Sequence, residues 1–238
     1  MLLSLLSSGN IRDAIISILL TLPAVLIAIS FHEAAHAYAA YKLGDRTAHN
    51  LGRLTFNPIK HIDPFGFLCM LVFGYGWAKP VPINPRNFKN ARRGMAFTAI
   101  AGPMMNLLIG IISTIIYTVI FFYFGMNIVG IIYNVFTAKL VWMALMLFQY
   151  MAILNFMLMA YNMIPVPPFD GSRFFGLLLP QRIYWSIMRY ERHILVGVIL
   201  ISVILSRFFD FSPFAWIAEN LFEGIANLIL KLLVIISN

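Results

Sequence analysis

Five long apolar segments constrain the fold of this 238-residue chain more than any other feature. A helix needs ~20 mostly apolar residues to cross a bilayer. The candidate segments are residues 11–42, 94–124, 131–163, 194–209 and 214–236. Hydrophobic residues make up 61% of the chain and charged residues 11%, against about 25% charged residues in soluble domains, and a soluble fold cannot bury so much apolar surface. We therefore predict an all-α polytopic membrane protein with about five transmembrane helices, in a single domain over residues 1–238.

A sixth apolar segment, residues 65–77, is too short to cross a membrane as a helix and is typical of a re-entrant or interfacial segment. The basic residues support this interpretation, because 13 of the 17 Lys and Arg lie in the loops 42–64, 79–93 and 164–193. These three loops share one side of the membrane only if 65–77 does not cross it. The positive-inside rule then places them in the cytoplasm and the link 125–130 outside.

The formal net charge of +8 excludes some partners and favours others. Basic residues beside apolar segments suit anionic lipid headgroups. A nucleic-acid-binding protein would need a solvated basic face, and this chain has little solvated surface to hold one. We therefore expect the lipid bilayer as its environment and no nucleic acid as a partner.

The sequence His32-Glu33-Ala34-Ala35-His36 follows the apolar part of the first segment. Histidines four residues apart lie on one face of a helix, so both imidazoles can bind one Zn²⁺. Glu33 lies beside that face and can accept a proton from water at the metal. Ionisable side chains within a membrane are costly unless they are paired or metal-bound. The motif therefore predicts a zinc site with Glu33 as general base.

A catalytic zinc site needs a third protein ligand, and several residues have the right chemistry. The candidates are His49, His61, His193, Asp45, Asp63 and Asp170. Asp170 is favoured because three prolines separate it from the end of segment 131–163, and proline forces the chain out of the helix. Unwound backbone near membrane depth is tolerated where it lines a cavity or is buried in protein.

Two asparagines are candidates for a supporting role. Asn162 lies near the end of segment 131–163 and can hydrogen-bond either an oxyanion or the carbonyls that the prolines leave free. Asn106 lies between Gly102 and Gly110 at a four-residue spacing, which lets another helix approach closely. Asn106 either bonds the catalytic helix or belongs to ordinary helix packing.

Together these motifs resemble the site-2 protease family of intramembrane zinc metalloproteases. The first motif matches that family's His-Glu-x-x-His, and Asn162-Met-Ile-Pro165-Val-Pro167-Pro168-Phe169-Asp170-Gly171 matches its Asn-x-x-Pro-x-Pro-x-x-Asp-Gly signature. The stretches 101–106 and 76–84 resemble motifs of its small bacterial members. The resemblance implies one Zn²⁺ per chain, bound by His32, His36 and Asp170, with Glu33 as general base.

The resemblance also implies a function: a zinc metallo-endopeptidase that hydrolyses peptide bonds in or near transmembrane segments, the reaction of regulated intramembrane proteolysis. Its implied partners are membrane-protein or signal-peptide-like substrates. Its implied location is the bacterial cell membrane, with the active site toward the cytoplasm. No segment is long and polar enough to be the PDZ or CBS domain of larger relatives.

Two other functions remain open on the residues alone. A divalent-metal transporter also places His and Asp within the membrane, although the chain lacks the internal repeats common in transporters. A catalytically inactive membrane binding protein could keep the metal ligands, although it would have no need of Glu33.

The region between the first two spanning segments contains a candidate substrate-binding element. Residues 51–56 fit a strand, and the prolines of the extended stretch 78–85 confine it to a sheet edge. A helical substrate must unwind before cleavage, and an exposed edge can pair with the unwound strand. We therefore expect a small membrane-associated β element in which Val81 and Ile83 bind substrate. The alternative is an interfacial loop without a substrate role.

Overall fold

The computed structural model describes residues 11–73, 76–125 and 135–237. Nine α-helices lie in these ranges. They are α1 (Ile11–Lys42), α2 (Thr47–Asn50), α3 (Pro64–Phe73), α4 (Ala91–Ile120), α5 (Val135–Asn162), α6 (Asp170–Phe175), α7 (Gln181–Met188), α8 (Glu191–Phe209) and α9 (Pro213–Ser237). A π-helical turn, Phe121–Gly125, continues α4.

Five of these helices, α1, α4, α5, α8 and α9, are long and apolar enough to cross a membrane. The prediction of an all-α polytopic membrane protein is confirmed, and the predicted segments match these helices to within a few residues.

Local signals explain the helix ends. The Asn90 side chain accepts a hydrogen bond from Arg93 N–H (3.0 Å) at the start of α4, and α8 ends at Asp210 in a left-handed conformation. Of the predicted link 125–130, all but Gly125 lies outside the described residues.

The apolar segment after the first spanning helix forms α3, which has ten residues. A helix of this length is about 15 Å long, roughly half the ~30 Å hydrocarbon core of a bilayer. α3 therefore cannot cross a membrane by itself, as its length in the sequence predicted. Residues 74 and 75 of the predicted segment 65–77 lie outside the described residues.

The predicted β element is not confirmed. The described residues contain one isolated antiparallel bridge, between Ile62 and Ala78, and no strand. Residues 51–53 instead close α2: Gly52 is left-handed (φ +66°), and Arg53 N–H donates to Ala48 C=O (2.9 Å). The stretch 78–85 contains three prolines, which lack the N–H groups that a ladder requires.

α4 is the central helix and packs against α1, α5, α6 and α9. Between α4 and α5, Gly110 lies against the ring of Phe156, which is fully buried. Phe156 and Ala152 of α5 form one apolar cluster with Ala218 and Phe222 of α9. Leu107 and Ile111 of α4 pack against this cluster, so it joins three of the five spanning helices.

The close contact at Gly110 predicts a loss of stability when a side chain is added. A Cβ at Gly110 would lie 2.4–2.9 Å from atoms of the Phe156 ring, and a fully buried ring cannot move aside without cost. We expect Gly110→Ala to destabilise the protein by about 1–3 kcal/mol, measured as a lower thermal unfolding midpoint in detergent. The matched control is Gly197→Ala in α8, where nothing lies within 4 Å of the added Cβ. Equal midpoints for the two variants would contradict the prediction.

Candidate metal centre

Three metal-ligating side chains from distant parts of the chain meet at one point. His32 Nε2 lies 3.0 Å from His36 Nε2, and Asp170 Oδ2 lies 3.1 Å from His32 Nε2 and 3.2 Å from His36 Nε2. Both histidines are buried, and Asp170 is partly buried. In the described part of the chain, these residues form the one group of three or more His, Cys, Asp or Glu that could hold a metal ion.

The local structure around each ligand follows from the sequence. His32 and His36 lie one turn apart on α1, so their rings project from the same face. α5 ends at Asn162, and the proline-rich stretch that follows leads to Asp170, the first residue of α6. Gly171 allows this return, because a Cβ there would lie 2.5–2.6 Å from the carbonyl oxygens of Met163 and Ile164.

The second nitrogen of each histidine has an acceptor of its own. His32 Nδ1 donates to Asn106 Oδ1 (2.9 Å), and His36 Nδ1 donates to the main-chain carbonyl of Thr98 (2.8 Å). A carbonyl oxygen can only accept, so each proton lies on Nδ1 and each Nε2 has a free lone pair. The two lone pairs point toward Asp170, which is the orientation that metal-binding histidines require.

Three unprotonated ligand atoms this close together need a cation between them. A carboxyl group is ordinarily ionised at neutral pH, so Asp170 contributes a third atom with a free lone pair. Tetrahedral zinc with bonds of ~2.0–2.1 Å has ligands roughly 3.3 Å apart, close to the observed 3.0–3.2 Å. Two nitrogens and one carboxylate form a typical catalytic zinc set with an open fourth position. The residues therefore fit zinc.

Helix α4 closes one side of this centre. A Cβ at Gly102 would lie 2.5 Å from His36 Nε2 and 2.6 Å from His32 Nε2, so no larger residue fits there. Asn106, one turn farther along, is fully buried. The Gly102–Asn106–Gly110 pattern predicted close packing, with a hydrogen bond from Asn106 to the catalytic helix as one of two alternatives. The hydrogen bond to His32 supports that alternative.

Glu33 lies next to the ligands but bonds a different part of the chain. Its Oε2 accepts a hydrogen bond from the main-chain N–H of Val81 (2.9 Å). The Val81 side chain is buried against Ala37 and Ala48, and Ile83 packs against the same cluster. The extended stretch 78–85 is therefore placed beside Glu33, but the side chains of Val81 and Ile83 face the protein.

The remaining candidates have other partners. Asn162 Nδ2 donates to Leu158 C=O of its own helix (3.0 Å). His61 bonds Thr55 C=O, Asp63 caps α3 by accepting from Gly66 N–H, and Asp45 accepts hydrogen bonds from a neighbouring loop. His49 packs against the Tyr41 ring and His193 against the Tyr190 ring. Sequence reasoning missed the Thr98 carbonyl, and no side-chain pattern reveals a main-chain acceptor.

Comparisons with known proteins agree with this chemistry. The family model described as peptidase family M50 matches residues 20–206. A Bacillus subtilis (strain 168) protein named "Putative zinc metalloprotease YwhC" is 38% identical over 169 residues, which cover 71% of this chain and 73% of that protein. No solved structure matches the chain.

The hydrogen bond to His32 predicts that Asn106 contributes to metal affinity. Asn106→Ala removes the acceptor of His32 Nδ1 and should weaken zinc binding about 10–100-fold, measured by competition with a chelator of known affinity. Asn106→Asp keeps an acceptor and should bind zinc more tightly than Asn106→Ala does. Asn155→Ala is the control, because Asn155 is also fully buried but bonds the Met151 carbonyl of its own helix. Equal zinc affinity in the Asn106→Ala and Asn155→Ala variants would contradict the prediction.

Proposed function

The chain belongs to peptidase family M50, and from this premise we propose that it hydrolyses peptide bonds in or near the transmembrane segments of membrane-protein substrates. Membership of this family makes it a zinc metallo-endopeptidase and an integral membrane protein. One observation carries the proposal: three zinc ligands and Glu33 lie together on or against a helix long and apolar enough to span a membrane.

Each residue of the site has a defined part in this chemistry. His32, His36 and Asp170 would hold a zinc ion, which when bound would supply Lewis-acid chemistry at the scissile carbonyl and lower the pKa of water. Glu33 accepts the proton that water loses and delivers it to the nitrogen of the leaving amine. Asn106 and the Thr98 carbonyl keep the imidazole rings oriented, so the ligands do not have to reorganise during the reaction.

Substrate binding at the stretch 78–85 is a further part of the proposal. The stretch is extended, contacts Glu33 and has exposed residues at Lys79 and Pro80. An unwound substrate strand placed beside it would bring its peptide bond close to Glu33. Because Val81 and Ile83 turn their side chains inward, they would bind substrate through main-chain groups, within a small β element that forms with the substrate. Membrane-protein and signal-peptide-like segments are the proposed substrates.

The orientation in the membrane is proposed from charge. His36 lies fewer than two turns from Lys42, where α1 ends, and 13 of the 17 basic residues lie in the three loops 42–64, 79–93 and 164–193. On the positive-inside rule the metal centre opens toward the cytoplasm of a bacterial cell membrane, with α3 as a re-entrant segment on the same side. Residues 1–238 then form a single transmembrane protease domain.

The proposed reaction predicts different effects for Glu33 and Asp170. Glu33→Gln leaves the ligands intact, so we expect full zinc content and a loss of cleavage of about 10²–10⁴-fold. Asp170→Asn removes a ligand charge, so its zinc content should fall. Cleavage is measured by mass spectrometry on purified proteins incubated with single-span membrane proteins and signal peptides. Glu219→Gln, an exposed glutamate of α9, is the control and should cleave like the wild type.

The same purified variants distinguish a protease from the two other functions. A divalent-metal transporter predicts zinc flux into proteoliposomes that survives Glu33→Gln. An inactive binding protein predicts no cleavage even by the wild type. Full zinc content in Asp170→Asn would assign the third ligand to another residue.

The proposed orientation predicts which loops a membrane-impermeant thiol reagent can reach in intact cells. In a background with Cys69→Ser, Lys89→Cys in the loop 79–93 should react only after the membrane is permeabilised. Phe211→Cys, between α8 and α9, should react in intact cells and serves as the matched control. Labelling of Lys89→Cys in intact cells would contradict a cytoplasmic metal centre.

A further inference from the structure

The stretch 78–85 makes one hydrogen bond to a catalytic side chain. The residues on either side of the donor are prolines, so no other main-chain N–H lies beside it. Pro80 and Pro82 flank Val81, and proline has no N–H. Val81 therefore supplies the one main-chain donor of residues 80–82. That donor is directed at Glu33 Oε2, at 2.9 Å.

We propose that Val81 is a positioning residue, whose main-chain N–H holds the Glu33 carboxylate in the orientation from which it transfers protons. This inference rests on the proposed role of Glu33 as general base. A glutamate side chain has several rotatable bonds, and a hydrogen bond to its charged group restricts them. Because Val81 binds Oε2, the other oxygen, Oε1, is left to accept the proton.

The residues before Val81 are held by two neighbouring parts of the loop. Arg53 Nη2 donates to the carbonyl oxygens of Lys79 (2.6 Å) and Pro80 (3.3 Å). Lys79 N–H donates to His61 C=O (2.9 Å). The Arg53 side chain is itself buried. These bonds fix the peptide groups immediately before Val81 and so fix the direction of its N–H.

The residues after Val81 are held by a buried carboxylate. Asp45 is fully buried and accepts hydrogen bonds from Asn84 N–H (2.7 Å), from Asn87 Nδ2 (2.7 Å) and from Thr47 N–H and Oγ1. Burial raises the pKa of Asp45, but these hydrogen bonds outweigh it, and the pKa lies below its ordinary value. Asp45 therefore stays ionised and holds the far end of the stretch.

The side chain of Val81 completes this support. It is buried against Ala37, one turn beyond Glu33 on α1, and against Ala48. The stretch is thus held on both sides of Val81 and at Val81 itself, while Glu33 is the one charged group that its N–H contacts. The contact with the general base indicates a role in the reaction.

The test removes the N–H of Val81 in two variants, of which the second also keeps the shape of the residue. Val81→Pro suits the extended chain, because the residue between two prolines is already biased toward extended conformations. With the substrate that the wild type cleaves in the assay above, we expect kcat to fall about 10²-fold. Zinc content should stay within about twofold of the wild type because the ligands do not change. KM should do so too, because the Val81 N–H bonds Glu33 and is not one of the main-chain groups left to pair with substrate. A second variant replaces the Val81 peptide N–H by an ester oxygen, keeps the valine side chain and decides the matter if Val81→Pro does not fold.

Matched variants separate this role from others. Lys89→Pro removes an N–H of the same loop that bonds no described residue, and it should keep the wild-type kcat. Ile83→Pro should raise KM and leave kcat unchanged if the stretch binds substrate.

An unchanged kcat in the Val81 ester, or a raised one, would overturn the proposal. If Glu33→Gln retained cleavage, the base itself would be misassigned. If that variant were inactive while the Val81 ester behaved like the wild type, only the positioning role would fail.

Discussion

The convergence of three metal-ligating atoms on one point constrains the architecture around the metal centre. His32 Nε2, His36 Nε2 and Asp170 Oδ2 lie within 3.2 Å of one another, and their lone pairs face the same point. Without a cation this arrangement would be costly in a buried site. With zinc it becomes an attraction that joins α1 to α6, across 138 residues of sequence. The ligands come from two elements that both pack against α4, so helix packing brings them together and a bound zinc ion would hold them there.

α4 supplies the remaining contacts to the two histidines from residues that are spaced four apart. Thr98, Gly102 and Asn106 lie on one face of this helix, and that face lies against α1. The Thr98 carbonyl binds His36, Gly102 allows both rings to approach the backbone, and Asn106 binds His32. The histidines are also four residues apart, so two helices with matched spacing hold both rings at once. The same face continues to Gly110, where α4 meets Phe156 of α5.

The parts of the site that depend on local spacing could be predicted from the sequence. The His32–His36 pair follows from helix geometry, and Asp170 follows from three prolines that end α5 before a carboxylate. The β element could not be predicted correctly. Residues 51–56 alternate like a strand, but Gly52 and the bond from Arg53 to Ala48 make their first residues the end of α2. The bonds from His36 to the Thr98 carbonyl and from Val81 N–H to Glu33 involve main-chain groups 62 and 48 residues away, and such groups leave no trace in side-chain patterns.

The metal ligands and the general base are held by different kinds of structure. Apolar helices hold His32 and His36. Because the protein interior is closely packed, a displacement of one of these helices would also displace the ligands. Glu33 is on the same helix, but its carboxylate is held by a polar loop through Val81, Arg53 and Asp45. Because Arg53 and Asp45 are buried, these hydrogen bonds are shielded from water and keep the direction of the Val81 N–H fixed. The base is therefore held by buried polar contacts and the two histidines by apolar packing, although all three side chains leave the same helix.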